Sequence, residues 1–417
     1  MTDRCIILIG PNAAQCERAR SHNLVVVVLD APARLAPGVI DLADHLLLTD
    51  YTDIGLSADL LRPFLERYTV VGVLSLTESG LLASARLNAL LGFADNAVEV
   101  VERVVDKAQM RAWLASDSRY RLPAVVVTTP ADLHDFVKEI GFPVILKPIN
   151  GTGSADVVFL DSQDNLNRWL SSLPRLPMLA EQFAVGDEYS VEAYSRDGAH
   201  SIAAVTKKLL YRHSAANPFV ELGHCVPAPL DDARRLALEQ YVRDFLSLIG
   251  IRWGLSHTEI IASKTGFVII ETHPRNGGDR IVDLVRQATG IDLLDTAIAI
   301  RSGLSHKSEP LSRPQAAAMR FFIVEPGVIQ AIDGVHTART APGVIDIEIQ
   351  ASPGDRITAV NSSNDRPGLV VAIGSSAEEA TRRTEKAVSM IRFVMRAEGL
   401  PSPGLTDAAN RAAPKSA

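Results

Sequence analysis

The chain has few of the features that mark secreted or membrane-spanning proteins. It contains only three cysteines in 417 residues, Cys5, Cys16 and Cys225, and their spacing forms neither a CxxC pair nor a metal-ligand pattern. That count excludes a disulfide framework. No apolar run is long enough to cross a bilayer, and the run that follows Met1 is too short for a signal-peptide core. We therefore expect a cytoplasmic protein with no membrane partner.

Positive charge is also scarce. The chain has 42 lysines and arginines against 49 aspartates and glutamates, which gives a formal net charge of −7. The basic residues are interspersed with acidic ones, whereas proteins that bind a phosphate backbone collect them into a patch. Nucleic acid is therefore not an expected partner. The hydrophobic content of 47% is ordinary for a globular protein, and the length suits two or three domains.

The first domain, residues 1–97, is predicted to be a doubly wound α/β unit. A buried strand at Cys5–Ile9, a helix and a second strand at Val25–Leu29 form a β-α-β opening. A further strand at Val70–Leu76 leads into a helical pattern. Because ligands bind at the carboxyl ends of such strands, Glu78, just after the last strand, is a candidate site residue.

The rest of the chain is predicted to form two more domains and a tail. Residues 98–305 alternate between helices and strands, as expected for a mixed α+β core. Residues 315–398 read as a separate sheet-rich domain that closes with a helix over Glu378–Arg396. Residues 401–417 are small, polar and charged, which predicts a disordered tail.

Two glutamates interrupt apolar strands near the end of the core. Glu259 and Glu271 flank the turn Lys264–Gly266, and a hairpin places two residues on one face when their distances from the turn match. A charge in such a strand is costly unless it is paired or bound to metal. The simpler interpretation is a salt bridge to Arg275 or Arg280. We favour a shared magnesium ion, since hard cations take carboxylate ligands.

A lysine and a glycine-rich loop precede this hairpin in sequence. Lys147 ends a predicted strand, and the loop that follows contains Gly151, Gly153 and Ser154. Glycine permits close approach of backbone N–H groups to phosphate, and the serine adds a hydroxyl donor. The alternative is a solvated lysine before a hairpin turn. Lys107, at the start of a predicted helix, is a candidate second phosphate-facing cation.

The segment after Glu271 supplies a candidate anion site. Arg275 lies in a loop that ends at Gly277-Gly278, where a helix is predicted to begin with Asp279 as an ordinary N-cap. Helix N-termini attract anions, and arginine binds carboxylates in a bidentate manner. His224 reads on its own as a structural histidine. These patterns together predict a magnesium–nucleotide site beside an oxyanion-stabilising arginine, as in an ATP-driven ligase.

Taken in order, these motifs resemble those of the ATP-grasp superfamily of carboxylate–amine ligases, and most closely those of the L-amino acid ligases that make dipeptides. The resemblance extends over nearly the whole chain. It rests on Thr77-Glu78-Ser79-Gly80, Lys107, Lys147-Pro148, Glu181-Gln182-Phe183, Gly186–Ser190, Phe219–His224, Glu259 and Glu271–Arg275.

The resemblance implies an ATP-grasp fold with an N-terminal pre-grasp domain and a C-terminal domain that completes the substrate cavity. It implies ATP and Mg²⁺ as cofactors, with Mn²⁺ as an alternative, and small-molecule carboxylate and amine substrates, with amino acids expected. Separately, a homodimer is the default assembly for a large cytosolic enzyme. For the nucleotide, the implied roles are phosphate contacts for Lys107, Lys147 and the glycine loop, adenine binding by the backbone of Glu181, Gln182 and Phe183, and ribose binding by Glu188. Glu259 and Glu271 would bind the metal. Arg275 would stabilise the acyl phosphate, and His224 and Glu78 would line the amino acid site.

Two departures from the family pattern stand out. His273, the third candidate metal ligand beside Glu259 and Glu271, occupies the position where the superfamily usually has asparagine, two residues after the second glutamate, and an imidazole ligand favours borderline ions over magnesium. Asp156 places an acid near the expected phosphates. Two alternatives to the ligase remain: a carboxylase or formate-using ligase of the purine or biotin type, whose usual motifs are absent, and a nucleotide-binding sensor, which the intact lysines and glutamates disfavour and His273 leaves open.

Overall fold

The computed structural model describes residues 2–151, 153, 155–172, 174–211, 217–264, 266–305 and 315–396. The predicted phosphate contact Ser154 and the predicted tail 401–417 lie outside these residues. The described part contains four sheets, and their arrangement determines where the candidate site residues meet.

The N-terminal unit is a parallel four-stranded sheet in the order β3-β2-β1-β4, flanked by helices. The predicted β-α-β opening is confirmed, while β3 and α3 were not predicted. Asn12 and Gln15 form a capping box that fixes the start of the first helix beside the end of β1. The elements are β1 (Arg4–Ile9), α1 (Ala13–Ser21), β2 (Val25–Asp30), α2 (Val39–Leu42), β3 (His45–Leu48), α3 (Ile54–Arg67), β4 (Thr69–Leu74) and α4 (Leu81–Leu91).

A second, smaller sheet carries the segment around the glycine loop. Its antiparallel strands are ordered β5-β8-β6-β7, and the β6–β7 pair is the hairpin that the sequence predicted. Asp106 accepts hydrogen bonds from the N–H groups of Ala108 and Gln109, so Lys107 becomes the first residue of α6. The elements are α5 (Val98–Val105), α6 (Lys107–Leu114), β5 (Ala124–Val127), α7 (Pro130–Ile140), β6 (Val144–Pro148), β7 (Val158–Leu160), α8 (Gln163–Ser171) and β8 (Met178–Gln182).

An eight-stranded antiparallel sheet forms the centre of the molecule, in the order β13-β12-β9-β10-β11-β14-β18-β16. Its first part and the helices that pack on it are β9 (Asp187–Arg196), β10 (Ala199–Leu210), β11 (Glu221–Val226), α9 (Asp232–Ile249), β12 (Gly254–Ala262), β13 (Phe267–His273), α10 (Ile281–Thr289) and α11 (Leu293–Ser302). One hydrophobic cluster joins the N-terminal unit to this sheet: Ile6 and Val26 share it with Leu284 and Met319.

The C-terminal part differs from its prediction in two ways. Three of its strands, β14, β16 and β18, continue the central sheet instead of forming a separate one, because β14 pairs with β11. The closing helix ends at Met390, and Arg392–Arg396 is a strand paired with β15. The elements are β14 (Ala316–Phe321), β15 (Gly327–Asp333), α12 (Val335–Arg339), β16 (Val344–Ile349), β17 (Arg356–Ile357), β18 (Gly368–Gly374), α13 (Ala377–Met390) and β19 (Arg392–Arg396).

None of the helices in the described part of the chain is both long enough and apolar enough to span a membrane.

Candidate active site

The β12–β13 hairpin brings the two predicted metal-binding glutamates together. Glu259 lies directly opposite Glu271 in the strand register, as the spacing around the turn predicted, and His257 lies opposite His273. Burial opposes ionisation of both carboxyl groups. Nearby lysine charges more than offset that effect, so the pKa of each glutamate is lowered. Two ionised carboxylates therefore face the same side of the sheet.

Lys107 connects Glu271 to the glycine-rich loop. Its Nζ lies 3.0 Å from Glu271 Oε2 and donates to the carbonyl oxygen of Gly151 at 2.7 Å. Burial disfavours the charged lysine, but the attraction of Glu271 is stronger and raises the pKa of Lys107. The structure thus places a cation between the loop and the glutamate pair.

Lys147 is held in a fully buried charge cluster that the sequence revealed only in part. Its Nζ lies 2.8 Å from Glu181 Oε2, and Arg111 Nε donates to the other oxygen of the same carboxylate at 2.6 Å. Arg111 was not predicted, although its place on α6, one turn after Lys107, would have been a signal. Burial lowers the pKa of Lys147 despite its contact with Glu181.

In the strand predicted to bind adenine, two backbone N–H groups are already hydrogen-bonded within the protein. The N–H groups of Gln182 and Phe183 donate to the carbonyl oxygens of Pro123 and Pro143, at 2.9 and 3.2 Å. A base would therefore be met by carbonyl oxygens or by aromatic rings. Phe183 packs edge-to-face against Phe219 with ring centroids 6.3 Å apart, and both rings line the adjoining cavity.

Lys208 lies at the centre of three carboxylates and was not predicted from the sequence as a site residue. Its Nζ is 2.6 Å from Glu188, 2.8 Å from Glu259 and 3.2 Å from Glu221, and only 3% of the side chain is exposed. Although burial disfavours the charge, the three acids raise the pKa of Lys208 well above its usual value. Burial raises the pKa of Glu188, the predicted ribose ligand.

The predicted catalytic arginine contacts the predicted N-terminal site residue. Arg275 Nε donates to Glu78 Oε2 at 2.6 Å, and His273 Nδ1 lies 3.1 Å from the same oxygen. Burial opposes ionisation of Glu78, but the hydrogen bond and charge of His273, followed by those of Arg275, lower its pKa to about 2. Residues far apart in sequence, Glu78 and Arg275, thus converge beside Glu271, whose Oε1 lies 3.4 Å from His273 Nε2.

Asp279 is not the N-cap of the following helix. That helix begins at Ile281, and its N-cap is Arg280, which makes no side-chain capping bond. Asp279 and Arg280 both have left-handed backbone conformations, with φ of 49° and 61°. Both Asp279 carboxylate oxygens accept hydrogen bonds from Arg366 Nη2 at 3.0 Å, and His224 Nε2 lies 3.4 Å away. His224 is therefore buried beside the loop, and its Nδ1 has no hydrogen-bond partner among the described residues.

Two cavities adjoin at the glutamate pair. The first contains about 980 Å³ of space, including its open mouth, and the second about 1320 Å³. Gly153, Glu259 and Glu271 line both. The first cavity is lined by Lys107, Lys147, Gly151, Glu181, Gln182, Phe183 and Glu188, and we call it the nucleotide cavity. The second is lined by Lys208, His224, His257, His273, Arg275 and Asp279, and we call it the polar cavity.

Comparison with known protein families identifies two regions of this chain. Residues 140–283 match the family model for the ATP-grasp domain, and residues 320–396 match the model for the L-amino acid ligase C-terminal domain 2. The chain contains an ATP-grasp domain.

Three relatives illustrate the range of similarity to this ATP-grasp chain. An uncharacterized protein of Sinorhizobium fredii, y4rH, is 28% identical over 83% of this chain and 70% of its own length. The L-arginine-specific L-amino acid ligase of Bacillus subtilis is 20% identical over 77% of this chain and 80% of its own length. The alanine–anticapsin ligase of Bacillus amyloliquefaciens is 26% identical over 49% of this chain. That match spans 48% of the enzyme, about half its length.

Solved structures show the same fold. The L-amino acid ligase of Bacillus licheniformis superposes with a TM-score of 0.78 and 22% identity, covering 95% of this chain and all of that one. The phosphoribosylglycinamide synthetase of Anaerococcus prevotii gives a TM-score of 0.72 with 16% identity, covering 94% of this chain and all of that one. At these identities the comparisons establish the ATP-grasp fold.

The residues of this ATP-grasp chain fit a magnesium–nucleotide site better than a metal cage built by protein alone. Within the described ranges, no group of three or more His, Cys, Asp or Glu side chains is arranged to hold a metal ion. Mg²⁺ is commonly held by one or two carboxylates together with substrate phosphates. The Glu259–Glu271 pair suits that mode. Asp156, the acid predicted near the phosphates, is exposed and does not line either cavity.

His257 is a third charged site residue, after Arg111 and Lys208, that sequence reasoning missed. Its Nδ1 lies 2.7 Å from Glu192 Oε1 and its Nε2 lies 3.2 Å from Glu259 Oε1. Burial disfavours protonation of the imidazole, but the charge and hydrogen bond of Glu192 and the contact with Glu259 raise its pKa to about 9. The pattern His257-Thr258-Glu259 mirrors Glu271-Thr272-His273 across the hairpin, and that mirror symmetry was a readable signal.

Proposed function

We propose that this protein is an ATP-dependent ligase that joins two amino acids through an acyl phosphate, with release of ADP and phosphate. The observation that carries the proposal is the junction of the two cavities at Glu259 and Glu271. A nucleotide in the first cavity would present its terminal phosphate there, and a carboxylate in the polar cavity would approach from the other side. The names of the relatives, an alanine–anticapsin ligase and an L-arginine-specific L-amino acid ligase, support amino acids as the substrates.

The proposed chemistry depends on positioning and charge. Lys107 and Lys147, which line the nucleotide cavity, would face the triphosphate, and the Glu259–Glu271 pair, with His273 beside it, would hold Mg²⁺ or Mn²⁺, which would neutralise charge on the phosphate oxygens. The substrate carboxylate attacks the γ-phosphorus and forms an acyl phosphate. The amine of the second amino acid then attacks the acyl carbon, and phosphate leaves.

Arg275 would stabilise the oxyanion of that second step. It lines the polar cavity and is oriented by Glu78, which also contacts His273. His224, on β11, also lines the polar cavity and would contact the amino acid. A preorganised donor at a developing oxyanion contributes about 3 kcal/mol to catalysis. A cytoplasmic location and a homodimer stay predictions.

The test is amino-acid-dependent release of phosphate and ADP from Mg-ATP, measured against pairs of L-amino acids, with products read by mass spectrometry. The expected product has the mass of two amino acids minus water. Glu271→Gln and Arg275→Ala should each reduce turnover by about a hundredfold or more. Glu66→Gln and Arg62→Ala, which change exposed side chains of α3, are the matched controls and should leave turnover unchanged.

Wild-type turnover in either site variant would contradict the site assignment. Bicarbonate- or formate-dependent release of phosphate would favour the carboxylase or formyl-ligase alternative. ATP binding with no release across the whole panel would favour the sensor.

A further inference from the structure

A short C-terminal segment contacts the wall between the two cavities. Between β17 and β18, residues Ser363–Asp365 form a single 3₁₀ turn. The Ser363 N–H donates to the carbonyl oxygen of Gly153 at 3.0 Å, and its hydroxyl donates to Glu221 Oε2 at 2.8 Å. Gly153 lines both cavities and Ser363 lines the polar one. One residue therefore joins the glycine-rich region to the acids around the polar cavity.

The segment is itself held firmly in place. Arg366 is only 5% exposed, and its guanidinium lies 3.4 Å from the centre of the Phe321 ring. It donates to the carbonyl oxygens of Ser363 and Glu221, at 2.7 and 3.0 Å, and to the Asp279 carboxylate. Charge-assisted hydrogen bonds of this kind fix geometry well. Ser363 is thus presented to Gly153 from a rigid support built on the central sheet.

Glu221 extends the connection to the metal-binding pair. It shares Lys208 with Glu259, since Lys208 Nζ lies 3.2 Å from the first carboxylate and 2.8 Å from the second. The contacts run without interruption from Gly153 through Ser363, Glu221 and Lys208 to Glu259. The wall of the nucleotide cavity and the carboxylate that faces both cavities are therefore tied to the same C-terminal residue.

We propose that Ser363 is a positioning residue that holds Gly153 between the two cavities and thereby keeps water away from the acyl phosphate. The inference rests on the proposed ligase function and assigns the C-terminal region a part in the reaction. When the Gly153 contact is lost, water reaches the junction of the cavities and attacks the acyl carbon. The carbon–oxygen bond to phosphate then breaks, the free amino acid is regenerated, and ATP is consumed without amide formation.

The chain offers a matched pair of variants for the N–H group alone. Ser363→Ala removes the hydroxyl and keeps the N–H, whereas Ser363→Pro removes both. Proline is tolerated at the first position of a helical turn, where its missing N–H has no partner within the turn. The preceding residue, Ser362, has φ −145° and ψ 169°, an extended conformation that suits a residue before proline. The difference between the two variants isolates the bond to Gly153.

The measurement is the ratio of phosphate released to amide formed, with saturating Mg-ATP and both amino acids. The wild-type ratio is expected to be close to one. Ser363→Pro should release about five times as much excess phosphate as Ser363→Ala. A change of about fivefold is what the loss of one neutral hydrogen bond would produce in an equilibrium constant. The KM for ATP should change much less than the ratio, because the contacts of Lys107 and Lys147 are untouched. Equal ratios in the two variants would overturn the proposal and leave the ligase function standing.

Hydrogen–deuterium exchange gives a readout that does not need ligase activity. With the non-hydrolysable analogue adenylyl imidodiphosphate bound, peptides that cover residues 149–158 should exchange faster in Ser363→Pro than in Ser363→Ala. In the wild-type protein the Ser363 amide should itself exchange slowly. This measurement tests the hydrogen bond to Gly153 even if the proline variant does not fold. A rapidly exchanging Ser363 amide in the analogue-bound wild type would refute the contact. No amino-acid-dependent phosphate release by the wild type would instead refute the proposed function.

Discussion

Replacing Lys208 by methionine removes a cation that contacts Glu188, Glu221 and Glu259 together. The ammonium lies within 3.2 Å of all three carboxylates, and 3% of its side chain is exposed. Breaking a buried ion pair by removing one partner costs about 3–5 kcal/mol, because a buried charge is left uncompensated. Ser363 and His257 still contact two of the acids. We therefore expect the free energy of unfolding of Lys208→Met to fall by about 3 kcal/mol at neutral pH, the lower end of this range.

The pH dependence of this loss follows from its cause. Burial raises the pKa of Glu188 even beside Lys208, and loss of the lysine charge raises that pKa further, so the folded variant binds more protons than the folded wild type as the pH falls. The deficit relative to wild type should accordingly shrink from pH 7.5 to pH 5. Added Mg-ATP should also reduce it, because the metal supplies positive charge next to Glu259.

The assay is urea unfolding followed by tryptophan fluorescence at both pH values, with and without Mg-ATP. Lys138→Met, which changes an exposed lysine of α7, is the matched control and should unfold at the wild-type urea concentration. A Lys208→Met midpoint equal to that of wild type at pH 7.5, or a deficit that grows on acidification, would refute the reasoning.

Two further predictions follow from buried titratable groups. The pKa of His257 rises from 6.5 to about 9 on folding, so its stabilisation is fully present below pH 6.5 and is lost as the pH rises through about 9. His257→Asn should flatten urea-midpoint profiles across that window, and an unchanged slope would show that another group titrates there. Burial raises the pKa of the Cys5 thiol to about 12 and of Cys16 and Cys225 to about 11. A thiol reagent at pH 8 should therefore label these cysteines only after unfolding, and rapid labelling of the native protein would contradict the placement of these side chains.

The sequence predicted the parts of the site that local patterns determine. The hairpin register of Glu259 and Glu271 follows from their distances to one turn, and Lys107 follows from the cap that begins its helix. The first β-α-β unit was likewise predicted from its apolar runs. These features depend on neighbouring residues in the chain, which is why they could be read from it.

What the sequence could not predict depends on pairing between distant segments. Lys208 alternates within a long strand and reads as a solvent-facing residue until Glu188 and Glu221 are brought to it by neighbouring strands. Arg366 is far from Asp279 in sequence, so its contact displaced the expected N-cap role. The strand at Arg392–Arg396 was read as helix because no glycine or proline separates it from α13, yet pairing with β15 overrides that local pattern.

The central claim is that a carboxylate oxygen of one amino acid passes through an acyl phosphate. It is tested most directly with ¹⁸O-labelled amino acid carboxylate, Mg-ATP and a second amino acid, followed by mass spectrometry of the released phosphate. One ¹⁸O atom is expected in each phosphate released, and the dipeptide should carry one ¹⁸O atom fewer than the labelled amino acid. Amide formation with no ¹⁸O in phosphate, or with ¹⁸O in AMP, would contradict it.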